Sequence, residues 1–129
     1  MALQVSPSAG AIREETTVLQ DTATGTGNGG LLQIRPGDVL CVRTTGADMP
    51  NARVAYEWSD DVRWEVWKDA ALEDNEGTGM VQRVNSALVG ATELCLRWVA
   101  PPGALWFRAR ISSYVRGNVT VVAIVQRRN

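Results

Sequence analysis

Asp60 and Asp61, with Glu73 and Glu76 further on, are the side chains of this chain best suited to acid–base chemistry. Paired carboxylates can act as the proton donor and the nucleophile or base of glycoside hydrolysis. All four fall in segments read as loops, where solvation alone accounts for them. Histidine is absent, which removes the commonest general base, the commonest metal ligand and the usual partner of a nucleophilic serine or cysteine. The run Glu73-Asp74-Asn75-Glu76 lacks the alternating ligand spacing of a calcium loop. Cys41 and Cys95 cannot complete a four-ligand zinc site by themselves. They read as buried free thiols, with a disulfide between facing strands as the alternative. The glycines from Gly25 to Gly30 suggest a phosphate cradle, yet no Gly-Lys-Ser/Thr ending and no helical pattern follow them. No catalytic residue, no cofactor and no metal is therefore expected.

The more telling residues are tryptophans and arginines. Three of the five tryptophans lie between Tyr56 and Trp67, around Asp60-Asp61. Strict alternation there predicts a β-hairpin with Val54, Tyr56 and Trp58 inward on one strand and Val62, Trp64 and Val66 inward on the next. Glu57, Arg63 and Glu65 take the other face. From Leu105 onward the same period puts Leu105, Phe107, Ala109 and Ile111 inward and Trp106, Arg108 and Arg110 outward. A Gly117-Asn118 turn and a valine-rich closing strand are expected to follow. In that closing strand Val122 and Ile124 are apolar on the face opposite the core, so something should cover them. Trp67, Trp106, Arg108, Arg110, Val122 and Ile124 form the predicted interface, since tryptophan and arginine are the usual hot-spot residues.

These residues need a scaffold, and the rest of the chain describes one. At 129 residues, with 12 glycines, 5 prolines and 45% apolar residues, it suits a compact domain rich in turns. Residues 1 to 13 have no periodicity and read as an extended N-terminal arm that packs on a neighbouring subunit; residues 14 to 129 read as one domain. Strands are expected over Glu15–Thr22, Leu31–Arg35, Val39–Thr45, Met80–Asn85 and Thr92–Val99, with Pro36-Gly37 as a type II turn and Gly46 to Asn51 as a further turn. Ser86 to Gly90 reads as a connection, and a short helix is conceivable only near Ala70 to Asp74. The sum is an all-β, antiparallel β-sandwich, jelly-roll- or immunoglobulin-like, of eight to ten strands. Trp58, Trp64, Leu96, Trp98, Phe107 and Ile111 are its predicted core.

Charge is uneven along the chain. All fourteen acids lie between Glu14 and Glu93, whereas the segment from Leu94 onward carries six arginines and no acid. Either the segments pair across strands or they leave a basic patch for an acidic neighbour. Twelve arginines against the single Lys68 record a GC-rich genome or suit an interface. A net charge of −1 offers little attraction to nucleic acid, and no apolar run approaches the ~20 residues that span a bilayer. The first ten residues lack the basic and apolar regions of a signal peptide, so no export by that route is expected.

The order Ser59-Asp60-Asp61-Val62-Arg63-Trp64, then Phe107-Arg108-Ala109-Arg110-Ile111 and Gly117-Asn118-Val119-Thr120-Val121, resembles small β-sandwich structural proteins of tailed-phage virions. Their pattern is a Ser-x-Asp-Gly-x-x-Trp hairpin and a closing Arg-x-Arg hairpin with Gly-x-Val-x-Val. This chain departs from it in having Val62 near the place of that glycine. The resemblance implies a non-enzymatic virion protein, head-decoration- or cement-like, that assembles with itself, as a trimer by preference, and on a major capsid or other virion protein. Neither nucleic acid nor membrane enters that reading. The alternative is a carbohydrate-binding or receptor-recognition module of a tail or fibre, with Trp67 or Trp106 as the platform for a glycan.

Overall fold

The computed structural model describes residues 12 to 74, 82 to 90 and 93 to 128. The chain forms nine strands among these residues: β1 (Ile12–Ala23), β2 (Leu32–Gln33), β3 (Val39–Ser59), β4 (Lys68–Asp69), β5 (Leu72–Asp74), β6 (Gln82–Val84), β7 (Ser86–Val89), β8 (Leu94–Val99) and β9 (Trp106–Arg128). All belong to one antiparallel sheet, with β1, β9, β3, β8, β5 and β6 side by side and β2, β4 and β7 added at the flanks. The expected all-β, antiparallel class is what the chain adopts. The expected arm lies outside the described residues up to residue 11, and Ile12 and Arg13 already belong to β1.

The frame is a ribbon of the two longest strands. β3 pairs with β9 from Val39↔Gln126 at one end to Ser59↔Trp106 at the other. Both predicted turns, Gly46 to Asn51 and Gly117-Asn118, fall inside this ribbon, and neither reverses the chain. Between the pairs Ala47↔Asn118 and Asn51↔Arg116, three residues of β3 oppose the single Gly117. The surplus makes a bulge, which bends a strand without ending its pairing. Asp48 and Met49 accept left-handed φ values of 59° and 53°, and Gly117 has φ 81°. Asn118 donates to the Asp48 carboxylate (3.1 Å) and Arg116 Nε to the Met49 carbonyl (3.0 Å), so the bend is stitched from both strands.

The bend folds the sheet over its own apolar face. Val42, Thr44, Leu96, Val121 and Ala123 from one half and Val54, Tyr56, Phe107, Ala109 and Ile111 from the other are all buried. Trp98 on β8 meets Phe107 on β9 at 5.2 Å between ring centroids and Trp58 on β3 at 6.4 Å. Leu96, Trp98, Phe107 and Ile111 are core as expected, and Trp58 is half-buried against them. The expected eight to ten strands are nine among the described residues, and the two layers are halves of one continuous sheet.

Several local expectations change. Residues 86 to 89 are the strand β7, paired with β3, rather than a connection. Leu72–Asp74 is a strand against β6 and β8, so the one conceivable helix is absent there. Pro36-Gly37 is the turn expected: Asp38 N–H donates to the Arg35 carbonyl (3.1 Å), and Gly37 supplies the φ of 88° that a type II turn demands at its third position. Asp38, itself buried, ties this turn to the far strand through Arg127, whose Nε and Nη2 reach its carboxylate at 3.1 and 2.8 Å.

Candidate functional site

The segment after Ser59 decides the surface chemistry: residues 60 to 67 form a loop where the second arm of the hairpin was expected, and the chain pairs back with β3 only at Lys68 and Asp69. Asp61 accepts the backbone N–H groups of Arg63 (3.1 Å), Glu65 (2.9 Å) and Val66 (3.2 Å). Ser59 Oγ donates to the Val66 carbonyl (2.6 Å) and accepts from the Asp61 N–H (3.0 Å). These side chains take the amides that a ladder would have used, a competition in which serine and aspartate regularly defeat regular structure. The donors, that of Glu65 foremost, hold the Asp61 carboxyl below its ordinary value.

Because the loop replaces a strand, the predicted inward set Val62, Trp64 and Val66 points outward. Their exposures are 75%, 52% and 60%. Trp64 also holds a left-handed φ of 49°, an uncommon state for a bulky residue. The result is a loop braced by five hydrogen bonds of Asp61 and Ser59 that presents three apolar side chains to solvent.

Beside the loop lies a continuous network on the outer face of the β3–β9 ribbon. Glu57 stands opposite Arg108 in the ladder and accepts from its Nε at 2.8 Å; it also takes Arg110 in a bidentate pair at 3.0 and 3.1 Å. Burial alone would raise the Glu57 carboxyl, but the hydrogen bonds and charges of Arg110 and Arg108 outweigh it and the net shift is downward. The Arg108 guanidinium lies 4.0 Å over the Trp67 ring. Trp67 Nε1 donates to the Trp64 carbonyl at 2.8 Å, and Trp64 meets Trp106 edge to face at 5.7 Å. Asn28, Gly29, Gly30 and Leu31 border a cleft of about 190 Å³ with Trp64, Trp67 and Arg108. Their loop is docked: Gly27 exchanges two backbone hydrogen bonds with Ile111, and Gln20 Nε2 reaches the Gly27 carbonyl at 3.2 Å. That loop's contacts are with the sheet, and its role is to wall the cleft.

Of the six predicted interface residues, Trp67, Trp106, Arg108 and Arg110 come together here. Val122 and Ile124 do not join them. They sit half-buried on the outer face of the other half-sheet, where Val122 pairs with Val18 and Arg43, and Ile124 with Thr16 and Cys41. Glu57, read as outward, and Asp61, read as a turn residue, were not among the predicted interface residues, and the exposed trio Val62, Trp64 and Val66 had been placed inward. The Ser59-x-Asp61 spacing, whose side chains can capture backbone groups, was the signal that could have found the loop, whereas the partnership of Glu57 with Arg108 depends on long-range pairing.

The candidate carboxylates are engaged elsewhere. Asp60 pairs with Lys68 (3.0 Å), and Glu73 pairs with Arg83 (3.5 Å) and Arg97 (3.7 Å); Glu76 lies outside the described residues. The uneven charge along the sequence resolves by pairing: Arg97, Arg108, Arg110 and Arg127 each meet an earlier acid, which leaves no broad basic patch built from them. Cys41 and Cys95 are not buried core thiols; both lie on an outer face, Cys41 half-buried and Cys95 exposed.

Two solved structures share this doubled-over sheet. One is YomS, an SPBc2 prophage-derived protein, with a TM-score of 0.75 and 17% identity over 90% of this chain and 95% of that one. The other is the PBSX exported protein XepA, with a TM-score of 0.76 and 16% identity over 93% of this chain; the match spans 40% of XepA's length. At these identities the likeness establishes the fold. No family model matches the sequence, and no curated protein matches it.

Proposed function

We propose that the protein is a non-enzymatic structural component of a phage particle, and within the particle a decoration or cement protein that binds a major capsid or other virion protein and copies of itself. The observation that carries this reading is the braced loop with Val62, Trp64 and Val66 exposed beside the Trp67–Arg108–Glu57–Arg110 network. Exposed apolar residues on a rigid support lose little conformational freedom on binding, and an aromatic–arginine surround is the usual make-up of an interface hot spot. The shared fold with a prophage-derived protein supports a phage setting. Contact area is the mechanism, with no turnover. Proteomic mass spectrometry of gradient-purified particles tests it: the protein should co-purify at a fixed copy number per particle, and its absence from particles would refute the reading.

A second reading, a glycan-recognition module of a tail or fibre, rests on the cleft of about 190 Å³ that Trp64 borders with Asn28 and Arg108. Trp67 is covered by Arg108 and Trp106 is abutted by Trp64, so the platform for a sugar ring would be Trp64. Glycan-array binding that vanishes with Trp64→Ala would favour it.

A further inference from the structure

The outer face of the other half-sheet carries a feature that attachment does not use. Cys41 on β3 and Cys95 on β8 belong to adjacent antiparallel strands. Cys41 stands opposite Arg97 and Arg43 opposite Cys95, so the two cysteines are diagonal neighbours on one face. Diagonal neighbours of a ladder commonly stand about 7 to 8 Å apart, a span that long side chains bridge more readily than cysteines. Here the two Sγ atoms lie 2.8 Å apart, one thiol donating to the other. Val39, Glu73, Arg97 and Gln126 line an open cleft of about 400 Å³ around them, wide enough to admit a small thiol reagent.

We infer that Cys41 and Cys95 are a reversible disulfide site, oxidised by exchange with a low-molecular-weight disulfide such as oxidised glutathione. Exchange proceeds through the thiolate in two displacements. Cys95, the exposed member, attacks one sulfur of the reagent; the reagent's S–S bond breaks, one glutathione thiolate leaves, and a mixed disulfide forms on Cys95. Cys41 then attacks Cys95 Sγ, expels the second glutathione thiolate and closes the Cys41–Cys95 bond. The two cysteine protons end on the two glutathione thiols. The protein loses two hydrogens and one reagent disulfide is reduced to two thiols. The order follows from the surroundings: Cys41 is less exposed, and its thiol is pushed up to about 11, by burial first and then by its hydrogen bond with Cys95. It is the poorer first nucleophile and, already in contact, the natural resolving thiol. The bond would clamp β8, which carries Leu96 and Trp98 into the core, onto β3, and would persist in an oxidising medium while opening in a reducing one. This inference stands apart from the attachment surface, which lies on the other half-sheet.

The test is intact-mass spectrometry and thiol titration of the whole protein after equilibration with excess oxidised glutathione at neutral pH. Wild type should lose two hydrogens, titrate no free thiol and carry no glutathione. Cys41→Ser should retain one glutathione on Cys95, while Cys95→Ser should stay unmodified. Oxidation should raise the melting temperature of wild type and leave that of the double serine variant unchanged, which also reports whether the variants fold. Two persistent free thiols, a stable glutathione adduct on wild type, or a covalent dimer on a non-reducing gel would each overturn the proposal.

Discussion

Thr44 and Tyr56 lie on the same strand, twelve residues apart, and their hydroxyls hydrogen-bond at 2.7 Å in the core. A straight strand would separate them by roughly 40 Å. Their contact is therefore a direct consequence of the bulged bend between Ala47 and Asn51, and it joins the two half-sheets where neither hydroxyl meets water.

Tyr56→Phe should cost about 1 to 2 kcal/mol on denaturant unfolding, because it leaves the buried Thr44 hydroxyl without its partner. Burial, only partly offset by the Thr44 hydrogen bond, pushes the Tyr56 phenol up to about 12 from an ordinary 10.0. The unfolded chain thus releases this proton at lower pH than the folded one. The contribution is complete below pH 10 and is lost as pH rises through about 12, a loss that Tyr56→Phe should lack.

Gly117→Ala should destabilise by about 1 to 3 kcal/mol, since the residue holds φ 81° and an added Cβ would come within 2.6 Å of Pro50 Cα and 2.7 Å of the Ala47 carbonyl. Gly25→Ala is the control, as a Cβ there meets nothing within 4 Å. Equal melting of the two variants would mean that the bend is not held as described.

Glu57→Gln should cost about 1 to 3 kcal/mol by removing the charge that both arginines share. The Glu57 carboxyl lies below its ordinary 4.5, so its contribution is present in full above that pH and is lost as pH falls through the lowered value. Wild type should accordingly lose more stability on acidification than Glu57→Gln, as read by denaturant melts across that range.

Trp64→Ala should cost less than about 1 kcal/mol because the side chain is half exposed, whereas Phe107→Ala, in the core, should cost about 3 to 5 kcal/mol. The sequence alone makes the opposite assignment for Trp64, and the contrast shows what alternation can and cannot reveal. The inward faces of β3, β8 and β9 were legible, since Val54, Tyr56, Leu96, Trp98, Phe107 and Ile111 alternate with polar partners over long paired stretches. From Val62 to Val66 the same alternation persists without a ladder, because Asp61 and Ser59 bind the backbone first. Gly117 and the Gly46 to Asn51 segment carried turn chemistry that was legible as a change of direction. That both changes occur opposite each other, inside one ribbon, depends on long-range pairing that local residues do not encode. Likewise Trp67, Trp106, Arg108 and Arg110 were found as outward residues of paired or turn segments, while Val122 and Ile124 were assigned to the same surface although the fold separates the two half-sheets.

The most direct test of the proposed attachment surface is co-sedimentation of purified protein with phage particles that lack it, prepared from the phage genome to which the proposal assigns it. Wild type and the triple variant Val62→Ser, Trp64→Ala, Val66→Ser should be compared after equal melting curves confirm that both are folded. The loop reading predicts at least a tenfold weaker association for the variant, the effect of losing about 1.4 kcal/mol or more at a hot spot. Association of the variant equal to that of wild type would contradict it.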